Sequence, residues 1–319
     1  MKSVLTNRWV QRGIAVLLIG CLFASVDAHS LVDSLSNLTW GRAAFLLYLS
    51  VVLIFISALK WKIFLEGFAG RVSLARLNAL YYIGYFVNLI LPSHVGGDAV
   101  RSWYAGKSVG QHEAAAGTIL ERLLGLVAML GLALVSMWFV PRLPWETKAA
   151  VALMSAGLGV VIVTALSPRI FALIERIPRT AGVVSHLRKI QGALRGALAR
   201  RGVLWQALGL SLLYHSITVV NTLAAAAAVG WFDAPARELF VVLPIILLVG
   251  SLPITPSGLG LQEGAFMYFL TGLGATPAQA LGVGVVLRAK SYILALVGGI
   301  VWLTVRREKA GAPMPAFDA

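Results

Sequence analysis

The stretch Asn88–Arg101, NLILPSHVGGDAVR, most constrains what this chain can fold into. It follows an apolar run, yet it holds Pro92, the pair Gly96–Gly97, and then Asp98 and Arg101. Proline and paired glycines interrupt a helix, and charges do not rest in hydrocarbon without partners. A second stretch, Ser251–Phe266 (SLPITPSGLGLQEGAF), repeats the pattern. There Pro256, Gly258 and Gly260 break an apolar run, and the acid Glu263 follows. Two interrupted apolar segments in matching places of two halves point to a transporter.

Composition supplies the setting. With 59% hydrophobic and only 13% charged residues over 319 positions, the chain is expected to be an all-α integral membrane protein, one polytopic domain over 1–319. The net charge of +14 reports cytoplasmic loops first and affinity for anionic headgroups second. Nucleic-acid binding is not expected, because the basic residues are scattered between apolar spans with no aromatic-studded basic domain. Cys21 is the only cysteine, so there is no intrachain disulfide and no thiolate metal cluster. No HExxH or other metal-ligand spacing is present, and no metal or cofactor is expected. Around Ser257, TPSG fits a nucleophile elbow poorly, so the chain is not read as an intramembrane protease.

Six segments read as full crossings: Gly13–Val26, Ala43–Leu59, Ala114–Val140, Ala149–Leu166, Val203–Val229 and Gln279–Val305. The first is preferred as an uncleaved span. Val26-Asp27-Ala28 nevertheless resembles a signal cleavage site, and Leu18–Cys21 resembles a lipobox. Leu77–Leu91 and Leu239–Leu252 are too short to cross and end at the two breaks. Between the halves, residues 167–201 form a basic segment whose pattern suits a helix lying on an anionic leaflet.

Counting charges by side decides how the short segments run. If Leu77–Leu91 crosses, segment 167–201 falls outside, against the positive-inside rule. If instead 77 to about 110 dips in from the cytoplasm and returns, every basic cluster falls inside. These clusters are the N-terminus, Lys60–Arg76, 167–201 and the tail 306–319. By the same count, Leu239–Leu270 dips in from the outside. The expected architecture is thus about six spans plus two oppositely oriented re-entrant broken-helix hairpins. The halves, about 1–148 and 149–305, are related as an inverted repeat, and both termini are cytoplasmic.

The charged residues within this frame are the candidate site. Gly96 and Gly97 either expose backbone N–H groups as an anion site or form a turn with Asp98 as N-cap. Arg101, one turn beyond Asp98, either pairs with it locally or takes a phosphate. Glu121 and Arg122 are neighbours in sequence, point about 100° apart and need separate partners; Asp98 is the preferred partner of Arg122. Arg288, about 11 residues into the last span, either lines a cavity or pairs with Glu263. Lys290 follows close behind it. His94 is read as a turn histidine and His215 as a satisfied polar contact. Gly282, Gly284, Gly298 and Gly299 are read as close-packing positions.

LPSHVGGDAVR with ERLLGL downstream, and PSGLGLQEGAF with an in-span arginine downstream, resemble the lysylphosphatidylglycerol synthase transmembrane-region family. These are the flippase-like domain proteins, and the resemblance runs from about Trp40 to the last span. It implies movement of a lipid, or a lipid-linked headgroup, between leaflets of a bacterial inner membrane. It also implies roles for Pro92, Gly96, Gly97, Asp98, Arg101, Glu121 and Arg122, and for Pro256, Gly258, Gly260, Glu263 and Arg288. The name-giving enzymes append a soluble aminoacyl-transferase domain, whereas this chain ends soon after its last span; the transferase activity is not implied. The expected substrate is an anionic phospholipid or polyprenyl-linked lipid, and a homo-oligomer is compatible with the pattern. With no ATP-binding motif, transport is expected to be passive or ion-coupled. A membrane-embedded enzyme on a lipid-linked substrate and an accessory subunit are the rival readings.

Overall fold

The computed structural model describes residues 8–311, apart from 70, 91–94, 142, 168–187, 189, 193 and 197. Among the described residues all regular structure is helical, as hydrocarbon demands of a chain that must satisfy its own backbone groups. In chain order the helices are α1 (Arg8–Ala24), α2 (Ala28–Ser36), α3 (Trp40–Ala69), α4 (Leu74–Ile90), α5 (Val95–Val109), α6 (Gln111–Met137) and α7 (Trp145–Leu166). They continue as α8 (Arg201–Ala228), α9 (Ala236–Ser251), a single 3-10 turn at Pro256–Gly258, α10 (Leu261–Thr271) and α11 (Pro277–Gly311). By length and composition α3, α6, α7, α8 and α11 can each cross a membrane. The pair α1 and α2, bent by 87° at its break, makes a sixth crossing if taken as one span.

Helix α7 shows what faces lipid. It packs against α6 and α9, while Leu153, Val160, Val161 and Val163 are exposed. A helix apolar all round, with most of its surface open, belongs against acyl chains. The interior is built instead around α3, α4, α6, α8 and α11, which pack on one another or on the hairpins between them.

Two helical hairpins carry the breaks. Helix α4 folds back on α5: Leu77 and Leu80 share a buried cluster with Ala105 and Val109, and nearer the tip Gly97 meets Gly84 and Asn88. Helix α9 folds back on α10 in the same way, with Gly250 against Gln262 and Val241 and Ile245 beside Phe269 and Leu273. The tips of the two hairpins touch, because the Ser257 hydroxyl donates to the Asn88 carbonyl at 2.6 Å.

Contacts at two ends of the molecule join the helices. At one end Val140 and Leu143 pack with Val241 and Leu273, Gly230 approaches Asn37, and Gln279 donates to the Gly230 carbonyl. At the other, the Arg200 guanidinium reaches the Gly67 carbonyl, the Arg195 guanidinium reaches that of Leu166, and Gln191 donates to that of Ala165. Most of the expected surface helix, 168–187, lies outside the described residues, as does Pro92 in the first break.

Helix α11 closes against α4 through the expected small residues. A Cβ on Gly298 would overlap the Tyr82 carbonyl, and one on Gly299 would come within 3.0 Å of the Phe86 ring. One boundary differs from expectation. The second apolar span does not end at Leu59; α3 continues to Ala69 and carries Lys60 inward, where its side chain is buried. The cause is tertiary: the ammonium lies over the Tyr214 ring of α8, 4.6 Å from its centroid, a contact that offsets its lost hydration.

Candidate functional site

The first half gathers its charges at the junction of α3, α4, α5 and α6. Asp98 lies in the first turn of α5, where a carboxylate is favoured by the helix N-terminus. Its Oδ1 accepts from Arg101 Nε at 3.0 Å, and its Oδ2 accepts from Arg122 Nε at 2.7 Å. Arg101 Nη2 in turn donates to Glu121 Oε2 at 2.8 Å. Two acids and two guanidiniums thus form one neutral chain, Glu121–Arg101–Asp98–Arg122.

The two arginines differ in access. Arg101 is 2% exposed, its guanidinium 4.6 Å from the Trp61 ring centroid and 4.3 Å from that of Tyr81. A planar fork can hold two carboxylates and stack at once, which an ammonium cannot. The Arg122 side chain is 58% exposed although it pairs with the same Asp98. Arg122 is therefore the open end of the network and Arg101 its enclosed hub. The expected pairing of Arg122 with Asp98 is present, and so is the local pair of Arg101 with Asp98.

Gly97, just before Asp98, works by close approach. Gly97 is buried, and a Cβ there would overlap the Gly84 carbonyl oxygen and sit 2.7 Å from Asn88 Oδ1. Its N–H donates to Asn88 Oδ1 at 2.7 Å, so this donor is used within the hairpin. Gly96 is half-buried beside it.

The second half is held by Arg288. Its Nε donates to Glu263 Oε1 at 2.6 Å, its Nη1 to the Ser257 carbonyl at 2.8 Å, and its Nη2 to the Gly258 carbonyl and Gln262 Oε1, both at 3.3 Å. One guanidinium from α11 thus takes up carbonyls that the break at Pro256–Gly260 leaves without helical partners. Glu263 Oε2 accepts from the Gly260 N–H at 2.8 Å, closing the start of α10. Ser257, with φ 51°, is the one non-glycine residue at positive φ among those described. Such a conformation persists only when its surroundings over-determine it. Here its hydroxyl is tied to Asn88 and its carbonyl to Arg288. The Arg288–Glu263 pair is present as one of the two sequence alternatives.

The structure brings Asp98, Arg101, Glu121 and Arg122 together at one tip, and Gly258, Gly260, Glu263 and Arg288 at the other. Asn88 and Ser257 join them. Sequence reasoning missed Lys60, Trp61, Tyr81, Asn88 and Tyr214, all supports or joints. Their partners are distant in sequence, so no local spacing marks them. His94 lies outside the described residues. His215, read as a satisfied contact, has a buried Nε2 with no hydrogen-bond partner. Among the described residues no cluster of His, Cys, Asp and Glu could hold a metal ion.

Comparison with known proteins extends the frame. No solved structure matches the chain. A UPF0104 membrane protein of Methanothermobacter thermautotrophicus is 22% identical over 90% of this chain and 92% of its own length. One from Methanocaldococcus jannaschii is 23% identical over 97% of this chain and 98% of its own. The glycosyltransferase AglD of Haloferax volcanii is 25% identical over 90% of this chain, but over only 52% of its own length. The family model described as the lysylphosphatidylglycerol synthase TM region matches residues 8–299, reaching back beyond Trp40 to the start of α1. The chain is an integral membrane protein and belongs to that family.

Proposed function

We propose that the protein moves an anionic phospholipid or lipid-linked headgroup between leaflets of a bacterial inner membrane, without chemical change to it. The observation that carries this reading is Arg122: a guanidinium in a membrane helix, paired to Asp98 yet 58% exposed. A charge at that depth stands against a desolvation cost of about 2.5–3.5 kcal/mol on insertion scales. An arriving phosphate offers Arg122 a second partner, and Asp98 then keeps Arg101. With the phosphate bound, Asp98 and Glu121 share Arg101, and the site carries one net negative charge that the buried guanidinium must hold.

The proposed path lies between two hairpins that re-enter from opposite faces, in halves of inverted topology. Three contacts support it: the fold-back of α4 on α5, the fold-back of α9 on α10, and the Ser257–Asn88 joint between tips. Charge supports the orientation, with both termini cytoplasmic. The segments with Asp27, Asp33, Glu146, Asp233 and Glu238 also carry Arg42, Arg142, Lys148 and Arg237 and come close to neutral, whereas those with Arg71, Arg76, Arg188, Arg195, Arg200 and Arg201 are strongly basic. Gly-rich breaks lining a cavity would supply hinges and backbone donors.

The test is a leaflet-resolved assay with purified protein in liposomes, using fluorescent phosphatidylglycerol and polyprenyl-phosphate lipids. Wild type is expected to equilibrate at least one of them between leaflets, and Asp98→Asn and Arg122→Gln to abolish it. No movement under any imposed gradient would overturn the reading. The glycosyltransferase relative favours one alternative, an enzyme on a lipid-linked substrate. This chain spans about half of that protein, so the name does not assign the activity to the shared half. A lipid of altered mass in the same vesicles would decide for it.

A further inference from the structure

An apolar cleft between α6, α8 and α9 takes no part in the charge network of the two tips. It is an open space of about 250 Å³. Met129 and Leu132 of α6, with Phe240, Leu243 and Leu247 of α9, form two of its walls. Met129 and Leu243 are buried, while Leu132, Phe240 and Leu247 are half-buried. The α8 wall differs, because His215 and Thr218 stand in it. The Thr218 hydroxyl donates to the Tyr214 carbonyl at 2.9 Å. His215 Nε2 is buried and closes no hydrogen bond of ordinary geometry. Gly125 of α6 faces it, and a Cβ on that glycine would sit 3.9 Å from Nε2.

Helical spacing joins this cleft to the headgroup end. Arg122, Gly125, Met129 and Leu132 share one face of α6. Gly125, which meets His215, lies within one turn of Arg122, and Met129 is about 10 Å along the helix from it. A phosphate on Arg122 therefore puts the next atoms of a lipid beside His215 and its chain against Met129 and Leu132. Apolar walls accept any hydrocarbon chain, but a buried ring nitrogen left without a partner costs free energy. With its proton on Nε2, His215 is a donor in search of an acceptor. An acyl ester carries a carbonyl just beyond the phosphate and glycerol. A polyprenyl phosphate bears its hydrocarbon directly on the phosphate and offers no acceptor there.

We propose that this cleft holds one acyl chain of a glycerophospholipid whose phosphate is at Arg122, with His215 donating to the ester carbonyl of that chain. The inference rests on the translocase reading and deepens it, since it names the substrate as an acyl lipid rather than a polyprenyl one.

The experiment is photo-cross-linking of the purified full chain in vesicles that contain phosphatidylglycerol with a diazirine in its acyl chain, the adducts being mapped by mass spectrometry. Adducts on Met129, Phe240 and Leu247 are compared with those on Leu153 and Val160, exposed on the lipid-facing α7. Wild type is expected to favour the cleft over α7. Leu247→Trp, which fills the cleft, should lower that ratio roughly tenfold, the effect of burying about two fewer methylenes. His215→Phe should lower it roughly fivefold, as the loss of one hydrogen bond does, and His215→Gln, which keeps an N–H, should restore most of it. Arg122→Gln should empty the cleft and leave the α7 adducts unchanged. Cleft adducts no stronger than those on α7, or unmoved by Arg122→Gln, belong to boundary lipid and overturn the proposal. Equal labelling of the cleft by a diazirine polyprenyl phosphate, with His215→Phe without effect, overturns the acyl assignment. Cross-linking reads occupancy rather than movement, so a wild type that fills the cleft yet moves no lipid between leaflets sinks the translocase reading alone.

Discussion

Arg101 is where the buried charge of the first half converges, since it alone touches Asp98, Glu121, Trp61 and Tyr81. Breaking a buried pair by removing one partner leaves an uncompensated charge and costs about 3–5 kcal/mol. Glu121→Gln is therefore expected to destabilise the protein by that amount. The double variant Arg101→Met with Glu121→Gln should lose clearly less than the sum of the two single changes. Thermal unfolding of the purified protein in detergent measures this, and strictly additive losses would show the pair to be energetically silent. The separate partners of Glu121 and Arg122 are legible in the sequence, because adjacent helical residues point about 100° apart and cannot serve each other. The burial of Lys60 is not. It follows an apolar run and precedes Lys62, so local composition assigns it to the basic end. The Tyr214 ring that receives it comes from α8, far along the chain.

At the scale of elements, the breaks are held by backbone contacts rather than by apolar area. Gly258 has φ 66°, and a Cβ there would overlap the Gly250 carbonyl. Gly258→Ala thus meets both a left-handed backbone and a rigid neighbour, and is expected to cost at least about 1–3 kcal/mol. Gly159 in α7 has nothing within 4 Å of its would-be Cβ. Gly159→Ala is expected to be neutral or to gain up to about 1 kcal/mol from helix propensity. Unfolding temperatures of the two variants, measured side by side, check the contrast; equal effects would mean that the α9–α10 hairpin does not depend on that close approach. The second break is legible because Pro253, Pro256 and two glycines interrupt an apolar run within a few residues. The length of α3 is less so, because a lysine within an apolar helix resembles the end of a span. Pro244, inside α9, gives no such break: it sits buried within the helix, where packing against α6 and α10 supports the interrupted hydrogen-bond ladder.

For the whole molecule, the proposed topology makes each hairpin begin and end on one side of the membrane, and the two hairpins on opposite sides. Ordinary spans would do neither. Cys21 is the only native cysteine, so a Cys21→Ser chain is a clean background for placing single cysteines. Ala75 and Ser108 flank the α4–α5 hairpin, and Ala236 and Thr276 flank the α9–α10 hairpin; all four are exposed. Helix α5 has 15 residues and α10 has 11. At 1.5 Å per residue they are about 22 and 16 Å long, short of a hydrocarbon core of about 30 Å. A membrane-impermeant maleimide added to intact cells is expected to label Ala236→Cys and Thr276→Cys. Ala75→Cys and Ser108→Cys should react only after the membrane is opened. If the two ends of either hairpin label from opposite sides, that hairpin crosses, and the path between two opposed tips is lost. If both hairpins open to one side, the halves are not inverted. Lipid reaching Arg122 would then need a route past α6 rather than between the breaks.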